Sequence, residues 1–375
     1  MMRLIAFFVV SGYGLGLTAC TSGAVGAQRP TNTVIERYLV AVRSTYSGDR
    51  AKEIVAFMED KFRRPGNSGF DASIYLVVEV LEAAGYVAEE DAQSNATLTY
   101  RIQRREMDRP TWEPVSGSLD LLEPDGGPLL DYGTNMNMIA INSYSTPPDG
   151  IEADLVYVGE GGAEQFDAHD VRGKIVFGET SVRSLFREAV QNRGALGVLS
   201  YSMPAYTQPE INHNSIQFSG IALDAERQSW GIRLSYAART RLREALNTGP
   251  VRVRVKLATR IYEAEELELI ADVHGRTHPQ ERFVLSAHVQ EPGANDNASG
   301  VAAQAEIARV LAELVRSGSF EPNRTISMLW GDEILSTRRY IADDPERAAG
   351  IRWGVSLDMV GEDTQKTGGT FLIEK

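Results

Sequence analysis

Cysteine and histidine are scarce in this chain, and so is excess positive charge. One Cys in 375 residues leaves no disulfide framework to build. With 38 Lys and Arg against 51 Asp and Glu, the formal net charge is -13, which argues against nucleic acid or an anionic membrane face as the main partner. There is no internal repeat and no low-complexity segment. The apolar run LIAFFVVSGYGLGL at 4–17 is too short to span a bilayer comfortably. What remains is 43% hydrophobic and 24% charged, an ordinary globular composition with room for two domains and a substantial core.

The apolar run comes after Arg3 and fits the core of an export signal over residues 1–27. Leu17-Thr18-Ala19-Cys20 resembles the bacterial lipoprotein processing box, in which Cys20 is lipidated and becomes the new N-terminus. Plain cleavage after Ala27 is the competing reading. Either route places the mature protein outside the cytoplasm, as a periplasmic or cell-envelope lipoprotein or a secreted protein, with the lipid on Cys20 as its link to the membrane.

Residues 33–47, 49–62 and 73–86 have helical periodicity, the last ended by Gly85, and RRPGNSGFD (63–71) reads as a break between helices. From about 115 the texture changes to short strands and Gly and Pro turns, with one βαβ-like unit. Gly173-Lys174-Ile175-Val176 and Gly194-Ala195-Leu196-Gly197-Val198 resemble the protease-associated domain there. From 266 strands and helices alternate, which implies a largely parallel sheet covered by helices. The expected α/β fold is a mostly parallel central sheet in two chain segments, 31–114 and 261–375, with a β-rich domain inserted at 115–260.

Ligands in open α/β sheets bind beyond the carboxyl ends of the strands. RFVLSA ends in His288, RTISMLWG in Asp332-Glu333, and GVSLDMVG carries Asp358 near its end. Asp296 comes soon after His288, ahead of a long helix. A lone His at a strand end is more often a satisfied structural residue. An Asp before a helix usually caps it, a role open to Asp296 and to Ser299. Four such groups at one end of a sheet, all imidazole or carboxylate, suit a hard or borderline cation such as zinc.

Ala287-His288, Pro292-Gly293-Ala294-Asn295-Asp296, Ala298-Ser299-Gly300, Trp330-Gly331-Asp332-Glu333 and Leu357-Asp358-Met359 resemble, in order and spacing, the co-catalytic zinc exopeptidases of metallopeptidase clan MH. Secreted bacterial aminopeptidases and glutamate carboxypeptidase belong to that group, with glutaminyl cyclase and the transferrin receptor as relatives. The resemblance implies a zinc-exopeptidase fold, peptide substrates and two zinc ions per site. It makes His288 a terminal ligand, Asp296 the bridge between the ions, Asp358 a ligand of the same ion as His288, and Glu333 the residue of the glutamate motif. An inserted protease-associated domain is also common in the group.

Three positions depart from the pattern. Gln290 stands where the family has an Asp that orients the first His, a task open to the Gln290 carbonyl or to Glu291. The usual consecutive glutamates, a base and then a ligand, align either as Glu333 followed by Ile334 or as Asp332-Glu333, which leaves the role of Glu333 as base or ligand open; Asp332 is a further candidate ligand. No His comes after His288, whereas the family's last ligand is a distant downstream His. The other four, His169, His213, His274 and His278, are expected to be structural or solvated. The chain is accordingly expected to be a C-terminally incomplete part of a longer protein. The function expected is an exported zinc aminopeptidase. A non-catalytic binding module and a glutaminyl cyclase-like enzyme of the same fold are the alternatives.

Overall fold

The computed structural model of the chain describes residues 33–124, 126–369 and 372. The Cys20 box and both expected cleavage sites lie outside them. Residues up to Ser44 and those from Thr45 onward are two separate units; helix α1 (Thr33–Thr45), without a buried residue, belongs almost wholly to the first. Among the described residues no helix is long and apolar enough to cross a membrane.

The second unit opens with α2 (Gly48–Glu59) and α3 (Ser68–Ala84). Asn67 caps α3 by accepting the Phe70 N–H at 2.9 Å, and Gly85 ends it at φ +97°, a left-handed turn that glycine adopts without a Cβ penalty. The break expected over 63–71 is therefore shorter than its Pro and Gly suggest, because Asn67 is a strong cap and the helix already runs from Ser68.

Strands β1 (Val87–Ala88) and β2 (Leu98–Glu106) precede a second sheet. Its strands are β3 (Thr111–Glu123), β4 (Gly127–Asp131), β5 (Ile151–Tyr157), β6 (Ile175–Gly178), β7 (Gly197–Ser200), β8 (Trp230–Arg233) and β9 (Arg252–Tyr262). Between them lie α4 (Ala163–Asp167), α5 (Val182–Phe186) and α6 (Tyr236–Thr248). The order is β4-β3-β9-β5-β6-β7-β8, with β5 to β8 parallel. Gly197 packs under the Trp230 ring, where a Cβ would meet it at 2.5 Å, so the second glycine of the Gly-Ala-Leu-Gly run is a packing requirement. This sheet extends a few residues past 115 and 260 at either end.

The chain returns to the first sheet with β10 (Glu265–Val273), β11 (His278–His288), β12 (Arg324–Gly331) and β13 (Ile351–Ser356). Helix α7 (Ala298–Arg316) joins β11 to β12, and α8 (Leu335–Ala342) with α9 (Pro345–Ala349) joins β12 to β13; the short α10 (Thr364–Thr367) comes last. The order is β1-β2-β10-β12-β11-β13. β11 lies parallel to both its neighbours, and β10 runs antiparallel to β2 and β12.

One face of this sheet is apolar. Leu267, Leu269, Ala271 and Val273 of β10 are buried with residues of α3 and α7. On α7 the buried Ala298, Ala302, Ala305, Ala308 and Ala312 recur at helical spacing and let the backbone sit close to the strands. The alternate residues of β10 make the opposite face charged. Glu266, Glu268 and Asp272 are buried there, paired with Arg339, Arg105 and Arg101.

Burial pushes the Glu268 carboxyl up to about 7, against the pull of Arg105. A carboxyl raised in the fold contributes stability below its unfolded pKa and loses it as pH rises through the folded one. Glu268→Gln is therefore expected to flatten the melting temperature between about pH 5 and 8, and to stabilise the protein at the alkaline end by on the order of 2 kcal/mol. Thermal melts across that range check it, and parallel curves for the two proteins would contradict it.

Candidate metal centre

The parallel ladder decides where the site falls. His288 pairs with Gly331, and Ser286 pairs with Leu329 on one side and Ser356 on the other. The three strands therefore end together, and the turns beyond them share one edge of the sheet. Strand β13 stops at Ser356, earlier than expected, so Asp358 sits in the turn beyond it, level with His288.

His288 is buried. Its Nδ1 lies 3.3 Å from the Gln290 backbone carbonyl, which can only accept, so Nδ1 is the donor there and Nε2 is the atom turned to the cluster. Nε2 points at two carboxylates, with Asp296 Oδ1 at 3.5 Å and Asp358 Oδ1 at 3.4 Å. Neither contact closes a hydrogen bond: Nε2 of His288 and Oδ1 of Asp296 are buried without a partner. Three such atoms, all within 4.8 Å of one another, make an arrangement that a cation would satisfy. Ligand atoms held at about 2.0–2.1 Å on a tetrahedral zinc ion are themselves about 3.3 Å apart, close to the spacing observed. The residues present fit the ion.

The loop between His288 and Asp296 is held from behind. Arg63, buried, donates from Nε to Val289 O at 2.9 Å and from Nη2 to Gly293 O at 2.8 Å, with a further bond to Met58 O. Burial lowers its pKa to about 10 against the pull of Glu291 and Asp296. The Arg63 carbonyl in turn accepts the Glu291 N–H at 3.0 Å. The turn at 63–67 thus does more than connect two helices.

The Asp358 turn is held from the front. Asn297 caps α7, accepting the Gly300 N–H at 3.0 Å, so neither Asp296 nor Ser299 takes that role. Asn297 Nδ2 donates to Leu357 O at 2.9 Å, and Oδ1 also accepts the Met359 N–H at 3.3 Å. Ser299 Oγ accepts the Val360 N–H at 3.0 Å. Gly300 must be glycine, since a Cβ there would lie 2.2 Å from Leu357 O. Asn297→Ala is expected to weaken zinc binding by about 10–100-fold although it touches no metal. Chelator competition measures this, and an unchanged affinity would show that the clamp has no part in placing Asp358.

The orienting residues differ from expectation. The Gln290 backbone carbonyl, not its side chain, holds the His288 ring. The side chain instead brackets Glu333: Oε1 accepts the Glu333 N–H at 2.7 Å, and Nε2 donates to Glu333 Oε2 at 3.4 Å. Glu291 faces the Asp296 carboxylate. Burial, then the Asp296 charge and those of Glu333 and Asp358, push its carboxyl up to about 8. That is the response of buried carboxylates crowded together.

Asp332 is not part of the cluster. Burial and the Glu266 charge raise it to about 6, opposed by Arg339 and Arg64. The alternative-ligand role has no support in this placement, because the chain turns between Asp332 and Glu333 and sends their carboxyls to different neighbours. Ile334 is 66% exposed and has no donor atom. Elsewhere His274 Nε2 is 2.9 Å from Thr99 Oγ1, His278 is 2.9 Å from Thr277 Oγ1, and His213 stacks on Tyr236.

A mixed α/β sheet with imidazole and carboxylates gathered where its parallel strands end is the architecture of the zinc exopeptidase-like folds. Residues 268–368 match the model of Peptidase family M28, so the segment that carries the site is an M28 peptidase domain, a metallopeptidase hydrolase. The whole-chain fold agrees. An aminopeptidase from Aneurinibacillus sp. strain AM-1 superposes with a TM-score of 0.50 at 18% identity, over 85% of this chain and 72% of that one. A zinc aminopeptidase from Bacillus subtilis gives 0.52 at 20% identity, over 83% and 69%. A peptidase M28 precursor from Shewanella amazonensis SB2B gives 0.60 at 15%, over 86% and 74%. At these identities the likeness is one of fold. No curated protein matches the sequence.

Proposed function

We propose that the protein is an exported zinc aminopeptidase whose metal is held by His288, Asp296 and Asp358. The observation that carries this reading is the unpartnered His288 Nε2 set 3.4–3.5 Å from two carboxylate oxygens. A second ion of the expected pair would share Asp296 and draw on Glu291, whose carboxyl faces that of Asp296. Bound zinc supplies a Lewis acid that acidifies water and polarises a peptide carbonyl.

The chain's own part is proton transfer and positioning. Glu333 is exposed beside the cluster, with its backbone N–H and Oε2 both bracketed by Gln290. It is the general base that takes the proton of the attacking water and returns it to the leaving amine. Asp332 lines the adjoining cleft and suits the α-ammonium of a peptide N-terminus. The names of two similar structures, both aminopeptidases, support that choice. Residues 115–260 take the place of a protease-associated module. Cys20, as the lipidated terminus, would tether the enzyme to the cell envelope.

Incubation of the zinc-loaded chain with a mixed peptide set, and mass spectrometry of the products, tests the activity. Stepwise loss of N-terminal residues is the expected result. Internal cleavage would contradict the exopeptidase assignment, and intact peptides would leave a binding protein on a peptidase fold.

A further inference from the structure

We propose that the cleft beside the metal cluster recognises a substrate carboxylate through Arg64 and Arg109. The inference rests on the peptidase reading and names the chemistry of the peptides it takes.

The cleft has a volume of about 460 Å³, within the range of about 300–1,000 Å³ usual for small-ligand sites. Glu291 and Asp332 lie along it, with Arg64 and Arg109 on the wall formed by two chain segments. Those segments are locked together: Thr111 Oγ1 donates to Pro65 O at 2.7 Å, and a Cβ on Gly66 would meet Met107 Sδ at 2.7 Å. Apolar Phe218 and Ile141, from the part of the chain that builds the second sheet, complete the cleft.

The other arginines of this cleft are already engaged. Arg63 serves backbone carbonyls, and Arg339 pairs with Glu266. Among the described residues no hydrogen bond or ion pair occupies the guanidinium of Arg64 or of Arg109, and only the Arg64 backbone is bonded, to Asn67. Apart from burial, Arg64 feels the repulsion of Arg109 more strongly than the attraction of Asp332. Two like charges held on one wall without an acceptor favour an anion between them. A carboxylate suits two planar guanidinium forks. The cleft thus offers the Asp332 carboxylate to an ammonium and two unengaged guanidiniums to a carboxylate.

The carboxylate has two possible sources, an acidic side chain or the free C-terminus of a short peptide. Hydrolysis by the zinc-loaded chain is compared for two matched pairs, a tripeptide acid against its C-terminal amide, and a Glu-containing peptide amide against its Gln counterpart. The expected result is a preference of at least about 10-fold in kcat/KM for the carboxylate member of one pair, the scale of one charge-assisted hydrogen bond. The preference collapses toward unity in the Arg64→Gln/Arg109→Gln double variant, and the pair that shows it identifies the source. Turnover without preference in either pair overturns the proposal and leaves the peptidase reading standing. Calorimetric binding of the same four peptides to Glu333→Gln protein reads the preference without turnover. Equal affinities there overturn the proposal whatever becomes of hydrolysis.

Discussion

Glu333→Gln lowers kcat for peptide hydrolysis by about 10²–10⁴-fold, the contribution usual for a positioned general base, and leaves bound zinc unchanged. The amide keeps the shape of the side chain and the backbone N–H that Gln290 accepts, so the loop should not move. What it loses is the ability to take a proton. The cluster of His288, Asp296 and Asp358 does not include Glu333, which is why the metal should stay. Stopped assays with elemental analysis of the same preparation separate the two effects. Loss of zinc together with activity would make Glu333 a ligand and move the base elsewhere, the question that the two alignments of the glutamate motif leave open.

His288→Ala removes both zinc and activity. His288 is the only nitrogen donor of the cluster, and without it two carboxylates face each other across a gap. The fall in zinc affinity should exceed the about 10–100-fold typical of losing an outer-shell partner, and so exceed that of Asn297→Ala. The fold should survive, because the ring makes one long hydrogen bond and anchors no apolar cluster. Circular dichroism beside chelator competition checks both halves. Wild-type zinc affinity in this variant would mean that the ion sits elsewhere.

Much of the site is legible along the chain because strand ends are. The runs RFVLSA and RTISMLWG close on chemistry-bearing residues, and parallel pairing with a common register brings their ends to one edge. Helix α7 and its alanine stripe are equally plain from periodicity. The supports are not legible in this way. Asn297 and Leu357 lie 60 residues apart, and Arg63 reaches a carbonyl 226 residues away; such contacts leave no local period. One signal does exist: an Asn on each side of Asp296 ahead of a helix is an arrangement of capping residues, and Asn297 rather than Asp296 is the cap. Gln290 misleads for a different reason. A residue name suggests a side-chain role, whereas here the backbone carbonyl turns the ring and the side chain serves Glu333. The charged face of β10 is likewise visible only as alternation in EELELIADV, and its burial depends on Arg105 and Arg339 arriving from other elements.

The most direct test is peptide turnover by protein stripped with a chelator and then titrated with zinc. A metal centre on His288 predicts no hydrolysis after stripping, recovery in proportion to zinc bound, and no recovery in the His288→Ala protein. Hydrolysis that survives complete removal of the metal, or that zinc restores equally in the variant, would contradict it.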